Sequence, residues 1–292
     1  FYCKGSKQVA NYNIRCWKHG GHGSQNFEEA VQNSCNPAFI EIGQRIGTQK
    51  FYEYFKGFGF REKTGITLPG EAIGPFHLLE KFNEVELATS SFGQSFQVTP
   101  LQMITAVSAV ANGGKMMRPK IVKQLTDKNG NVVQEFPDEF IRQIVSEQTS
   151  KTMRHVLETV ISDGSGSNAY IKGYRMAGKT GTSEKLPRGN GKYVSSFVAF
   201  APADDPEIAC LLILDEPTGG AYFGGVIATP VVRNIMEDTL NYLNIEPAYT
   251  PEERATLETT VPNLTGKSVA DAKKAAAAAN LKFKVEGDGE NV

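Results

Sequence analysis

The chain has 292 residues, 40% of them hydrophobic and 22% charged, with a formal net charge of −1. That is enough polypeptide for one large domain with a sizeable core and a small second one, and the near-neutral charge excludes a general electrostatic affinity for nucleic acid or for an anionic membrane surface. No run of roughly 18 apolar residues is present, so no segment reads as a membrane span, and four cysteines are too few for a disulfide scaffold at this length. The first residues, Phe1-Tyr2-Cys3-Lys4-Gly5, carry neither a start methionine nor a signal-peptide pattern and read as the interior of a domain. The expectation is a piece of a longer protein, with any membrane anchor upstream.

Asn26 can cap a helix whose first turn holds Glu28 and Glu29, acidic residues that suit the helix dipole. Pro37 opens a second helix, where Pro at the first position costs nothing, and Phe39, Ile40, Ile42 and Ile46 continue it at helical spacing. Ser34-Cys35-Asn36 therefore falls at the junction of two helices. Thr99-Pro100 starts another helix that runs to Gly113-Gly114. Ile121-Val122 and Val132-Val133 flank Asn129-Gly130 as a hairpin. Residues 145–161 read as a helix. Three strand-like runs follow, at 174–182, 193–201 and 208–215, separated by short polar turns that favour an antiparallel meander. Residues 230–243 read as a closing helix. Helices before and after a central antiparallel sheet indicate an α+β domain over 1–243. Residues 244–257, with Pro247 and Pro251, read as a linker. From 258 to 292 an extended segment, an Ala- and Lys-rich helix at 269–279 and an alternating strand at 281–285 read as a small, partial βαβ-type module.

Two Lys-Thr-Gly triplets and two Ser-x-Asn triplets occur. Lys63-Thr64-Gly65 precedes Leu68-Pro69-Gly70 and reads as a solvated turn, whereas Lys179-Thr180-Gly181-Thr182 follows apolar Met176-Ala177 on a strand. Ser24-Gln25-Asn26 lies at a helix start, where both residue types are ordinary caps. Ser34-Cys35-Asn36 lies between helices, where Ser34 is either a cap or a presented hydroxyl. Ser-x-Asn followed by Lys-Thr-Gly are two of the three motifs of the penicillin-recognising serine acyl-transferases. The third, Ser-x-x-Lys, which carries the nucleophile, occurs nowhere in the chain.

Further segments fall in the same order: Lys63-Thr64-Gly65-Ile66 before Leu68-Pro69-Gly70-Glu71, Ser91-Phe92-Gly93-Gln94, Val98-Thr99-Pro100-Leu101-Gln102-Met103, and Gly224-Gly225 before Ala228-Thr229-Pro230. On these residues the chain resembles the C-terminal part of a class B penicillin-binding protein, a peptidoglycan D,D-transpeptidase, over residues 1 to about 243. Residues 260–292 resemble a PASTA module, and the whole is most similar to the sporulation type of the family. The resemblance implies a penicillin-binding, serine β-lactamase-like fold. It implies cross-linking of stem peptides ending in D-Ala-D-Ala through a serine acyl-enzyme, with β-lactams as inhibitors. Further implications are action at the cell membrane on its extracytoplasmic face, a glycosyltransferase of the cell-wall machinery as partner, and no cofactor for catalysis. Ser34 would relay a proton to the departing D-alanine, Asn36 would hold the substrate amide and the missing Lys, and Lys179 would supply positive charge. Thr180 and Thr182 would bind the substrate carboxylate, Gly181 would leave room for substrate backbone, and the Thr182 N–H would complete the oxyanion hole. Without its nucleophile this piece alone is expected to be inactive. Two readings stand beside this one: an enzyme of the same fold that hydrolyses its acyl-enzyme, and a catalytically idle β-lactam sensor or cell-wall-binding scaffold.

Cys16-x-x-His19-x-x-His22, with Gly20, Gly21 and Gly23 for tight turns and Cys3 thirteen residues upstream, has the donors for a structural zinc ion held by Cys3, Cys16, His19 and His22. A Cys3–Cys16 disulfide and a metal-free polar loop are the other readings of the same residues. Cys35 reads as a small buried spacer, and Cys210, between Ile208 and Leu211, as core.

Overall fold

The computed structural model describes residues 1–257, 261–279, 281 and 283–287. The N-terminal 24 residues form two small antiparallel pairs that periodicity does not foresee. β1 (Tyr2–Cys3) pairs with β4 (Gly23–Ser24), and β2 (Ser6–Val9) with β3 (Tyr12–Arg15). Helix α1 (Phe27–Gln32) starts at Asn26, whose side chain and that of Glu29 form a reciprocal capping box. Helix α2 (Asn36–Ile46) starts at Cys35 with Pro37 in its first turn, and α3 (Thr48–Gly57) follows. Helix α4 (Glu84–Ser91) packs on α2 so closely that a side chain at Gly43 would run into Ser91. Helix α5 (Pro100–Ala111) carries a second capping box, between Thr99 and Gln102.

Strand β5 (Lys115–Met117) pairs with β8 (Phe140–Gln143). Between them β6 (Gln124–Thr126) and β7 (Val132–Glu135) form the expected hairpin around Asn129-Gly130. Its first strand begins at Gln124 rather than at Ile121: the Asp127 carboxylate accepts the N–H groups of Asn129 and Asn131 and places the turn, and the register counts back from there. Helix α6 (Glu147–Ser162) matches the expected helix. Strands β9 (Ala177–Glu184), β10 (Tyr193–Ala201) and β11 (Ile208–Asp215) form the antiparallel meander in the order β11-β10-β9. The short helix α7 (Gly224–Ile227) leads into α8 (Thr229–Tyr242).

The centre of the fold is β10. Phe197, Ala199 and Ala201 face Val232, Met236 and Leu240 of α8 in one core, while Phe200 faces Ala111, Val107 and Leu157 of α5 and α6 in another. A strand buried on both faces explains the apolar run 197–201, and truncating either fully buried phenylalanine to Ala would cost about 3–5 kcal/mol. Helix α6 then carries α1 on its other side, through Val156, Val160 and Val31, with Phe39 of α2 packed against them. This stack of sheet, α6, α1 and α2 sets where residues 34–36 lie.

Contact clustering divides the chain into Phe1–Glu246 and Pro247–Val292. The segment read as a linker contains a helix, α9 (Pro251–Leu257), because Thr250 and Glu253 cap its start reciprocally. Helix α10 (Val269–Ala278) is capped by Ser268. The strand expected at 281–285 is not formed at its described residues, Leu281, Phe283, Lys284 and Val285, and Lys282 lies outside the described residues.

Candidate active site

Helix α1 ends in a Schellman motif. The Cys35 N–H donates to Ala30 O at 3.0 Å and the Ser34 N–H to Val31 O at 3.1 Å, with Ala30 and Cys35 packed together in one apolar cluster. This arrangement puts Ser34 in the left-handed region, at φ 49°. Glycine is the usual occupant of that position, so a serine there bears a conformational cost of about 1–2 kcal/mol. The conformation turns the Ser34 hydroxyl toward the sheet. Lys179 Nζ donates to Ser34 Oγ at 2.8 Å, across 145 positions of sequence.

Lys179 lies on β9, an edge strand of its sheet, so its side chain can reach round the strand. Nζ also donates to its neighbour's carbonyl, Thr180 O, at 3.2 Å and lies 3.5 Å from Thr180 Oγ1. Burial lowers the Lys179 ammonium from the ordinary lysine range to about 8. Thr180 Oγ1 is 3.1 Å from Ser165 Oγ. The Ser165 N–H donates to Gln32 O, which ties the loop after α6 to the end of α1. On the same face of β9, Thr182 Oγ1 accepts the Gly224 N–H at 3.0 Å and keeps its own O–H free to donate. Gly224 must be glycine here, because a Cβ would collide with the carbonyls of Gly181 and Ser196. Asn36 Nδ2 donates to Arg15 O at 3.2 Å from the first turn of α2. Ser34, Lys179 and Thr180 therefore meet at one place, the candidate cleft between the α1–α2 junction and β9, with Thr182 farther along the same strand and Asn36 one position into α2, bonded to Arg15 O.

The other two triplets have structural roles. The Glu71 carboxylate accepts from Thr64 N, Thr64 Oγ1 and Gly65 N, so Lys63-Thr64-Gly65 is a turn closed by an acidic side chain. Ser24 belongs to β4 and Asn26 is the α1 cap.

Behind the Ser34 turn lies a cluster of soft donors. The ligand atoms of Cys3, Cys16, His22 and Cys35 all lie within 4.8 Å of one another. Cys16 Sγ is 3.5 Å from His22 Nδ1, and all four cysteines are free thiols. A tetrahedral zinc needs four such donors at about 2.0–2.3 Å from a common centre, a demand these residues fit. The set corrects the expected one at a single place: His19 is outside it and Cys35 inside. The Gly21 N–H donates to Lys18 O at 3.1 Å, so His19 and Gly20 are the corner of a turn, with Gly20 at φ 78°. A corner residue points outward, and His19 is exposed. Gly21 then bends the chain against β1, where any Cβ would strike Cys3 O and Gly5 N, and this brings His22 back to Cys3. Cys35 is fully buried because it is the inward contact of the Schellman motif. Its hydrogen bond to Cys16, with burial beside it, pushes the Cys35 thiol up, and the same bond pulls Cys16 down to about 5. The reading of Cys35 as a small buried residue agrees with its burial, but its distance in sequence from Cys3, Cys16 and His22 hides that it meets them.

Comparison with known proteins shows the family. The family described as penicillin binding protein transpeptidase domain matches residues 1–237, and the PASTA domain matches residues 259–292. Stage V sporulation protein D of Bacillus subtilis is 43% identical, with all of this chain and 46% of that protein covered. Peptidoglycan D,D-transpeptidase FtsI of Escherichia coli is 31% identical, with 74% of this chain and 36% of that protein covered. Among solved structures, penicillin binding protein 3 of Mycobacterium tuberculosis in complex with ampicillin superposes with a TM-score of 0.78 at 28% identity, covering 86% of this chain and 58% of the other. The chain spans less than half the length of these two curated relatives. With the family matched over residues 1–237 and its two motifs meeting at one cleft, the chain belongs to the penicillin-binding protein transpeptidase family and carries PASTA sequence after it.

Proposed function

We propose that the protein containing this chain is a peptidoglycan D,D-transpeptidase that works outside the cytoplasmic membrane on stem peptides ending in D-Ala-D-Ala, and that β-lactams acylate the same site. The observation that carries this reading is the 2.8 Å contact between Lys179 Nζ and Ser34 Oγ. The reading includes a Ser-x-x-Lys nucleophile, a membrane anchor and a glycosyltransferase partner, all outside this chain. A sporulation role is the further reading suggested by the name of the Bacillus relative.

The nucleophilic serine loses its proton to its own lysine as its oxygen bonds to the penultimate D-Ala carbonyl carbon, and the oxyanion so formed is held by backbone N–H groups, that of Thr182 among them. Collapse breaks the C–N bond to the terminal D-Ala. Ser34 supplies the proton to that leaving nitrogen and takes one in turn from Lys179, to which it is already hydrogen-bonded. The Lys179 ammonium and the hydroxyls of Thr180 and Thr182 hold the terminal carboxylate. The donor strand lies along the outer edge of β9, and Asn36 presents its side-chain carbonyl to the nucleophile's lysine and holds the substrate amide. An acceptor amine from a second stem peptide then attacks the ester and gives up its proton through Ser34 to Lys179, while the nucleophile's lysine returns its proton to the departing serine oxygen.

A structural zinc ion held by Cys3, Cys16, His22 and Cys35 is part of the proposal. It would join β1, the segment before β4 and the start of α2, and so brace the turn that presents Ser34. It takes no part in acyl transfer.

Labelling with a fluorescent penicillin, read after denaturing electrophoresis, tests the function. The whole protein should label and this 292-residue chain alone should not. In the whole protein, Ser34→Ala and Lys179→Ala should each slow labelling by about 10²–10⁴, while Ser24→Ala and Lys63→Ala stay within about twofold of wild type, as suits surface substitutions. Damage by Lys63→Ala would mean that the wrong triplet has been assigned. A whole protein that does not label would favour an idle scaffold.

A further inference from the structure

Trp17 is half-exposed, at 54%, so burial does not explain a large aromatic there. Its indole N–H is nonetheless fully engaged. Nε1 donates to Asn33 O at 2.9 Å and to Ser34 O at 3.1 Å. These two carbonyls are what the Schellman motif leaves over. At the end of α1, Ala30 O accepts from Cys35, Val31 O from Ser34 and Gln32 O from Ser165. The carbonyls of Asn33 and Ser34 have no backbone donor among these, and the forked indole bond covers both. Trp17 is itself held in place: its backbone neighbour Cys16 lies in the thiol cluster with Cys35, and its ring meets the edge of His22 with centroids 5.4 Å apart. The dipeptides Cys16-Trp17 and Ser34-Cys35 are thus locked side by side.

We propose that Trp17 is a positioning residue for the Ser34 hydroxyl: its forked N–H bond holds residues 33–34 in the left-handed turn that aims Oγ at Lys179. The proposal rests on the transpeptidase reading above. Left-handed serine is strained, so without the clamp the peptide after Ser34 can rotate toward the ordinary helical region. Oγ would then leave Lys179, and the proton relay to the leaving nitrogen would weaken. Substrate binding by β9 would be untouched.

The test uses the whole protein with two variants that remove the N–H. One is Trp17→Phe, and the other is the isosteric benzothienylalanine at position 17, which keeps the ring shape and guards against a folding defect. With a fluorescent penicillin, the acylation rate constant should fall roughly threefold to tenfold, the range of one hydrogen bond, with non-covalent affinity unchanged. In a Ser34→Ala background the same replacements should have no further effect, because Trp17 acts through Ser34. Equal slowing in both backgrounds, or a wild-type rate in both variants, overturns the proposal. A crystal structure of the Trp17→Phe protein decides independently of activity, so that a failure of the transpeptidase reading is distinguishable. Ser34 should show a second conformer that lacks the positive φ or the contact with Lys179, and a single conformer that keeps both overturns the clamp.

Discussion

At position 34 the backbone favours glycine, and the proposed proton relay needs a hydroxyl. The Schellman turn supplies the geometry, and in that left-handed conformation Oγ meets Lys179. Lys179 shows a similar tension. Its burial disfavours the charge that the proposed contact with a substrate carboxylate uses, and its pKa sits near 8. The sign of the pH effect follows. Lowering the pKa empties the ammonium at a lower pH than for a free lysine, so the charged, proton-donating form is complete well below 8 and is lost as pH rises through 8. Acylation of the whole protein by a penicillin should therefore show a falling alkaline limb near pH 8. Lys179→Arg keeps its charge throughout this range, so its slower reaction should lack that limb. The same limb in the arginine variant would assign it to another group.

At the scale of elements, capping chemistry was the most legible part of the sequence. Asn26 with Glu29 and Thr99 with Gln102 are local pairs, so their helices could be read from neighbouring residues. The meander was legible because β10 ends in the apolar run 197–201 and its turns are polar. The N-terminal pairs β1–β4 and β2–β3 were not, because strands of two to four residues are too short to carry a period. The donor cluster was half legible for a related reason. Spacing shows which residues can share a loop but not which of them takes the corner of a turn, and so it chose His19 over Cys35. Zinc analysis of the purified protein separates the two sets. About one zinc per chain is expected on the tetrahedral scheme. His19→Ala should keep it. Cys16→Ser and His22→Ala should lose it and lower the melting temperature by on the order of 5 °C or more. Zinc retained in a Cys16→Ser, His22→Ala double variant would sink the site.

At the scale of the whole molecule, sequence motifs gave the cleft its residues, but the contact between Ser34 and Lys179 could not be derived from them. It depends on α6 packing between the sheet and α1 through Val156, Val160 and Val31, and those valines look like ordinary helix-face residues. The missing Ser-x-x-Lys, by contrast, was plain from the sequence alone. The division of the chain leads to the last prediction. Every residue assigned to the cleft or to the donor cluster, from Cys3 to Gly224, lies within Phe1–Glu246. Both principal cores are closed there too, one by α8 with Ile245 packed against it and the other by α5 and α6. Ending the whole protein at Glu246 should leave its penicillin acylation rate within about twofold and its zinc content unchanged, as expected when the cut falls at the boundary between two units. Binding to insoluble peptidoglycan, measured by co-sedimentation, is the property that the deletion is free to alter. A loss of acylation by more than tenfold, with the melting transition intact, would show that the C-terminal unit takes part in the cleft's chemistry.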